Sequence, residues 1–161
     1  MEAYVATDER RAIKSLLRVA AAERAVSGWT DDELSTIGSA EEVRIASLRA
    51  NGTLRKQVTT WVVRHDDGLY VRSVGGRDAA WFRGTRAAHR GRIWAAGIEK
   101  DVEFIDVDDE GLGDALDTAY RAKYRRYPAR IVNSVLSPAA QSATIRLVPL
   151  RGLPEGRELL R

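Results

Sequence analysis

The run Arg55-Lys56-Gln57-Val58-Thr59-Thr60-Trp61-Val62-Val63-Arg64-His65, then Asp66-Asp67-Gly68, then Leu69-Tyr70-Val71-Arg72-Ser73-Val74-Gly75-Gly76 decides the fold. β-Branched and aromatic residues fill both halves, and an Asp-Gly pair between such halves is the chemistry of a tight hairpin. With Asp67 and Gly68 as the turn residues, Asp66 pairs with Leu69, Val63 stands opposite Arg72 and Val62 opposite Ser73. Side chains alternate along a strand, so one face carries Thr60, Val62, Leu69, Val71 and Ser73, and the other Thr59, Trp61, Val63, Tyr70 and Arg72. Both faces are largely apolar. That pattern predicts a strand pair covered on both sides, as in a barrel wall that also meets a ligand or a second subunit.

Downstream, Gly75-Gly76 ends the strand, and Asp78 is placed to cap a helix from Ala79 to about His89. Arg92 to Val107 reads as one long strand or two joined at Gly97. An acidic turn, Asp106 to Gly111, leads into a helix from Leu112 to about Tyr127, which Pro128 ends. A last strand runs from Ala143 to Leu150. Upstream, Thr30-Asp31-Asp32-Glu33 has capping-box spacing and opens a helix that stops near Gly38. Val43 to Leu48 has period two and Asn51-Gly52 supplies a hairpin turn, while Thr7 to about Val26 is amphipathic with helical period. The order predicts a mainly β, α+β chain: a six-stranded antiparallel barrel over 29–150 with flanking helices, a helical extension over 1–28 and a tail over 151–161.

The 161 residues, 44% of them hydrophobic, suit one core, and no apolar run approaches a membrane span. Acids near the N-terminus stand where a signal peptide would be basic, so a cytoplasmic location is expected. With no cysteine in the chain, disulfides, thiolate nucleophiles and zinc–sulfur sites are excluded. Charge is segregated: eleven basic residues face three acids between Arg44 and Arg92, and nine acids face one lysine between Glu99 and Asp117. Such faces are ordinarily just solvated, but arginine forks also match phosphate and carboxylate oxygens.

Asp106, Asp108, Glu110, Gly111 and Asp117 come close to a calcium-loop pattern. The preceding residues read as strand rather than entering helix, and capping of the next helix explains the same acids, so no metal is expected. His65 and His89 lie at element ends without partners at catalytic spacing. Tyr120-Arg121-Ala122-Lys123-Tyr124-Arg125-Arg126-Tyr127 is either a basic helix end or a surface for a nucleic-acid backbone; lacking a nucleic-acid motif, that second reading is the lesser alternative. The block Arg72-Ser73-Val74-Gly75-Gly76 followed by Trp81-Phe82 offers donors and close backbone approach for a phosphate, although a Gly-Gly turn is more often only a turn.

Ser73, the Gly75-Gly76 pair, Trp81-Phe82 and the strand from Arg92 resemble the deazaflavin-dependent nitroreductase branch of the flavin-binding split-barrel superfamily, which includes pyridoxamine phosphate oxidases. Trp61-Val62-Val63-Arg64, Leu69-Tyr70-Val71-Arg72-Ser73, Tyr120-Arg121-Ala122-Lys123-Tyr124 and Ala143-Thr144-Ile145-Arg146-Leu147 are similar to domain-of-unknown-function family 2255. The resemblance covers about Trp29 to Leu150 and implies a split β-barrel, commonly a homodimer with flavin at the subunit interface. Three positions depart from the nitroreductase branch: Val74 replaces its lysine, Gly84-Thr85 its Asn-Leu and Ala88-His89 its Asn-Pro. The implied role is an FMN- or deazaflavin-binding oxidoreductase of unknown substrate, with Arg55, Lys56, Thr59, Trp61, Arg72, Ser73, Gly75, Gly76 and Trp81 facing the ligand. The alternatives are a cofactor-less binding or dimerisation barrel and, after it, nucleic-acid binding.

Overall fold

The computed structural model describes residues 28–150, so the helix expected over Thr7 to Val26 and the tail 151–161 lie outside the described residues. Helix α1 (Asp31–Ser39) starts on Thr30. The Thr30 Oγ1 accepts from the Glu33 N–H at 3.1 Å and the Glu33 carboxylate accepts from the Thr30 N–H at 2.9 Å, the anticipated capping box. Strand β1 (Val43–Ser47) turns at Asn51-Gly52 and β2 (Val58–Thr60) returns beside it, with Val43 opposite Thr60. Next come β3 (Val63–His65), β4 (Gly68–Arg72), a 3₁₀ turn (Gly76–Asp78) and helix α2 (Ala80–Ala88). Strands β5 (Arg90–Ala95) and β6 (Ile98–Asp106) form a hairpin through Ala96-Gly97. Helices α3 (Glu110–Lys123), α4 (Ala129–Ser134) and α5 (Pro138–Ser142) precede β7 (Thr144–Pro149).

The strands pair antiparallel throughout, in the order β2-β1-β5-β6-β7-β4-β3. The outermost two are halves of one stretch of chain, so the sheet curls toward its own beginning as a half-barrel with helices at its sides. The described residues thus form seven strands where six were expected, because the long strand anticipated from Lys56 to His65 divides at Trp61-Val62. The reason lies in α3. Val62 N–H donates to the Tyr124 hydroxyl at 3.1 Å and Val62 C=O accepts from Lys123 Nζ at 2.6 Å, so helix side chains take the bonds a neighbouring strand would have made. The Tyr124 proton is then free for Glu41 C=O, at 2.8 Å.

The hairpin turn also moves. Its residues are Asp66 and Asp67, with Asp66 at φ 53° and Gly68 already paired with His65, so Val63 faces Tyr70 rather than Arg72. Gly68 is small for another reason than turning: a Cβ there would come within 2.8 Å of the Tyr70 ring. The face assignment survives, because side-chain alternation within each strand does not depend on where the turn is centred. Val62, Leu69 and Val71 join Leu34, Ile37, Ile45, Phe82, Ile93 and Leu147 in the inner core. Val63 and Tyr70 join Leu116, Tyr120, Tyr124, Val132 and Val135 in a second core beneath α3 and α4, with Trp61 at its margin.

Two helices differ from expectation, and the acidic turn does not. Asp78 lies in the 3₁₀ turn, and α2 starts after Ala79 without a side-chain cap. The helix expected to reach Tyr127 ends at Lys123, and α4 and α5 follow where none was anticipated. The acidic turn serves as a cap, the Asp109 carboxylate accepting from Leu112 N–H at 3.1 Å. No helix among the described residues is long and apolar enough to cross a membrane.

The Lys123 contact makes stability depend on pH. Burial pushes its pKa down to about 8 from 10.5, opposed by the Glu41 charge. Below pH 8 both states carry the proton and the desolvation cost is complete; above it the folded state releases the proton first, so stability rises with pH. Above 10 the slope reverses, because burial holds the Tyr120 and Tyr124 phenols above their ordinary 10.0 and the unfolded chain ionises first. In urea titrations between about pH 7 and pH 9.5, the wild type should gain stability relative to Lys123→Met. A difference constant across that range would show an ammonium that is not desolvated.

Candidate functional site

The nine residues expected at the site fall into three groups. Arg72 and Ser73 are buried and spent inside the protein. The Arg72 Nε donates to Thr144 Oγ1 at 3.1 Å, its Nη1 to Asp117 at 2.5 Å and to Val135 C=O at 2.9 Å, and its Nη2 to Gly113 C=O at 3.0 Å. Its Cζ lies 5.3 Å from the Tyr120 ring centre, and Gln141 donates to the other Asp117 oxygen at 2.7 Å. The Ser73 hydroxyl donates to Gly76 C=O at 2.8 Å. These groups hold the fold. Asp117, the last acid of the calcium-like pattern, is likewise occupied by Arg72 and Gln141.

Trp61 stands apart on the other side of the wall. Its ring stacks on Tyr124 at 3.8 Å between centres and leans on Tyr127 at 5.1 Å, inside an aromatic layer under α3. The Tyr127 hydroxyl and the Arg126 guanidinium both donate to the Glu41 carboxylate, and chiefly the Tyr127 bond keeps that carboxyl below its ordinary pKa.

The remaining residues belong to the elements that border the place where β2 parts from β4. Thr60 Oγ1 donates to Arg72 C=O at 3.4 Å and marks the seam, beyond which no ladder joins the two strands. Arg55, Lys56 and Thr59 approach it on and before β2, all exposed and without a side-chain hydrogen bond or ion pair among the described residues. From the β4 side come exposed Gly75 and buried Gly76, the latter packed so that a Cβ would meet Ala139 at 3.2 Å. Trp81 is half-buried at the edge of the inner core, edge-on to Phe82 at 6.4 Å.

Two residues outside the nine expected ones, Gly84 and Ser47, complete this corner. A Cβ at Gly84 would lie 2.6 Å from Ser47 Oγ and 3.2 Å from Arg55 Cδ, so the bare α-carbon lets the Arg55 stem lie across α2. Ser47 is buried at the end of β1 beneath it. A glycine in the middle of a helix costs about 1 kcal/mol relative to alanine and is a legible sign of close approach.

A family model described as an uncharacterized protein conserved in bacteria (DUF2255) matches residues 33–147. The chain belongs to the DUF2255 family. No functionally curated protein matches this DUF2255 chain. Among solved structures it is similar to a candidate pyridoxamine 5′-phosphate oxidase from Listeria innocua, with 13% identity and TM-score 0.52 over 75% of this chain and 93% of that one. It is similar to HutZ, the heme storage protein from Vibrio cholerae, with 13% identity and TM-score 0.53 over 76% and 91%. Campylobacter jejuni ChuZ matches with 12% identity and TM-score 0.56 over 74% of this chain and 52% of that one. At these identities the likeness is one of fold, a split β-barrel.

The commitment of Arg72 to four acceptors has a measurable consequence. Asp117→Ala strands a buried guanidinium and should cost roughly 3–5 kcal/mol in urea unfolding. Arg121→Ala, on the exposed side of the same helix, should change stability by less than about 0.5 kcal/mol. Comparable losses in both would contradict a buried ion pair as the tie.

Proposed function

We propose that this protein binds a flavin-type cofactor, FMN or a deazaflavin, at the β2–β4 seam of a six-stranded split barrel in which β2 and β3 count as one strand. It acts there as an oxidoreductase, in the cytoplasm and as a homodimer. The observation that carries the reading is the pair Arg55 and Lys56. Both are exposed at the seam, neither has an acidic partner among the described residues, and Arg55 is laid across Gly84 in a fixed place. An unpaired guanidinium and ammonium on successive residues suit a phosphate, while half-buried Trp81 offers an aromatic surface on the helix that Arg55 crosses. Relatives of the same fold named for pyridoxamine 5′-phosphate oxidation and for heme storage lend support, since both names specify flat, anionic ligands.

The fit is partial. Arg55, Lys56 and Thr59 have donors to spare, whereas Arg72 and Ser73 have given theirs to the protein, and Val74 adds no charge. A bound flavin would supply the electron chemistry, and the chain would hold its anionic end and shield one side of its rings. The internal commitment of Arg72 and Ser73 is what favours the second reading, a barrel that keeps the seam for another anion and carries no flavin.

Incubation with FMN, or separately with a reduced deazaflavin, followed by desalting should leave a retained visible chromophore. The double variant Arg55→Ala, Lys56→Ala should weaken that binding at least about tenfold, the loss of two charge-assisted contacts, with the thermal melt unchanged. Failure of both cofactors to be retained removes the flavin reading. In Gly84→Ala, the new methyl should displace Arg55 and weaken the same binding; full retention would show that Arg55 does not hold the ligand.

A further inference from the structure

Helix α2 has two flanks, and only one of them, with Gly84, faces Arg55. At 100° per residue Arg86 lies nearly opposite Gly84, and on that flank Arg77, Phe82, Arg83, Arg86, Ala87 and His89 line a shallow cavity of about 420 Å³. Three guanidiniums and an imidazole surround it, and the carboxylate that meets two of the guanidiniums is that of Asp106. Arg86 Nη1 donates to that carboxylate at 2.8 Å and Arg77 Nη2 at 3.3 Å. Arg77 is further fixed by Ser142 C=O at 2.7 Å and lies 5.1 Å over the Phe82 ring. Arg83 and His89 are exposed and have no polar side-chain partner among the described residues.

An ordinary solvated helix face interleaves acids with its bases at a spacing of three or four. Helix α2 contains no acid at all, and the neighbours of Arg83 and Arg86 at that spacing include Arg90 and Ala87, so the positive charge is not balanced along the helix. His89 closes the groove from a left-handed position, φ 59°, its N–H bonded to Thr85 C=O at 2.8 Å. On the far side of Arg77 lies a separate cavity walled by Asp106, Asp108, Asp109, Glu110 and Asp114. Arg77 and Asp106 are the partition between them, and an anion is repelled from one side and attracted to the other.

We infer that the Arg77–Arg83–Arg86–His89 groove is a binding site for a small molecule carrying a terminal phosphate or diphosphate, with Asp106 as a built-in counter-ion that holds Arg77 and Arg86 in place until the anion arrives. Planar guanidinium forks match tetrahedral oxyanions bidentately, and two of the three are already oriented. The site lies on the opposite flank of α2 from Arg55 and does not depend on flavin binding.

The test is calorimetric titration of the full chain with inorganic pyrophosphate at low ionic strength. One site should appear. Arg83→Ala, which breaks no contact in the fold, should weaken it about tenfold, the loss of one charge-assisted contact. Asp106→Asn should tighten it severalfold, because the competing carboxylate is gone. Absence of binding, equal weakening in the remote variant Arg121→Ala, or weakening in Asp106→Asn overturns the assignment. A single-stranded oligonucleotide that binds more tightly than pyrophosphate and falls off steeply with salt also overturns it, in favour of a nucleic-acid surface. FMN retention measured on Arg83→Ala separates the two sites: it should be unchanged, and its loss would make the groove part of the seam.

Discussion

One guanidinium ties the two layers of this molecule together. Arg72 ends β4 with no exposure to solvent, yet its acceptors come from β7, from the body and first turns of α3, and from the link between α4 and α5. A buried charge is tolerable only when its whole fork is engaged, and that requirement fixes how β7, the long helix α3 and the α4–α5 link sit against β4. Lysine, a point charge on a flexible stem, could not satisfy the same planar arrangement. Thr144 and Asp117 have their places because of it, and Gln141 because of Asp117.

The same residue shows what a linear reading of the chain can and cannot deliver. An arginine at the end of an apolar strand is visible, and so is the basic charge around it. Whether it turns to a ligand or to the protein depends on an aspartate 45 residues later, in a helix whose placement local sequence does not encode. The faces of the β3–β4 hairpin were legible because alternation is a property of each strand alone. Its turn was not, since Gly68 reads as a turn glycine while its actual constraint is the Tyr70 ring packed against it. The division of the long strand is invisible for a similar reason: it is imposed by Lys123 and Tyr124, some sixty residues away. Helices α4 and α5 span six and five residues, too few to display a helical period.

At the seam, the basic pair before β2 could be read directly, because exposed charge needs no partner to be noticed. The two tryptophans assigned to one ligand wall in fact sit on different sides of it, Trp61 under α3 and Trp81 at the inner core. Gly84 carried the most usable signal that went unread, as a helix-interior glycine exists to admit a neighbour.

The division at Trp61-Val62 also bears on how this protein behaves in a crowded solution. A sheet with a long free edge offers a row of unpaired amides and carbonyls that another chain can extend. Here the first and last strands in sheet order are three-residue halves of a single stretch, and the backbone of Val62 at their joint is occupied from α3. An arriving strand finds no run long enough to template its own pairing. The fold thus guards against edge-to-edge aggregation through its connectivity, leaving the charges along β2 and its approach free for other work.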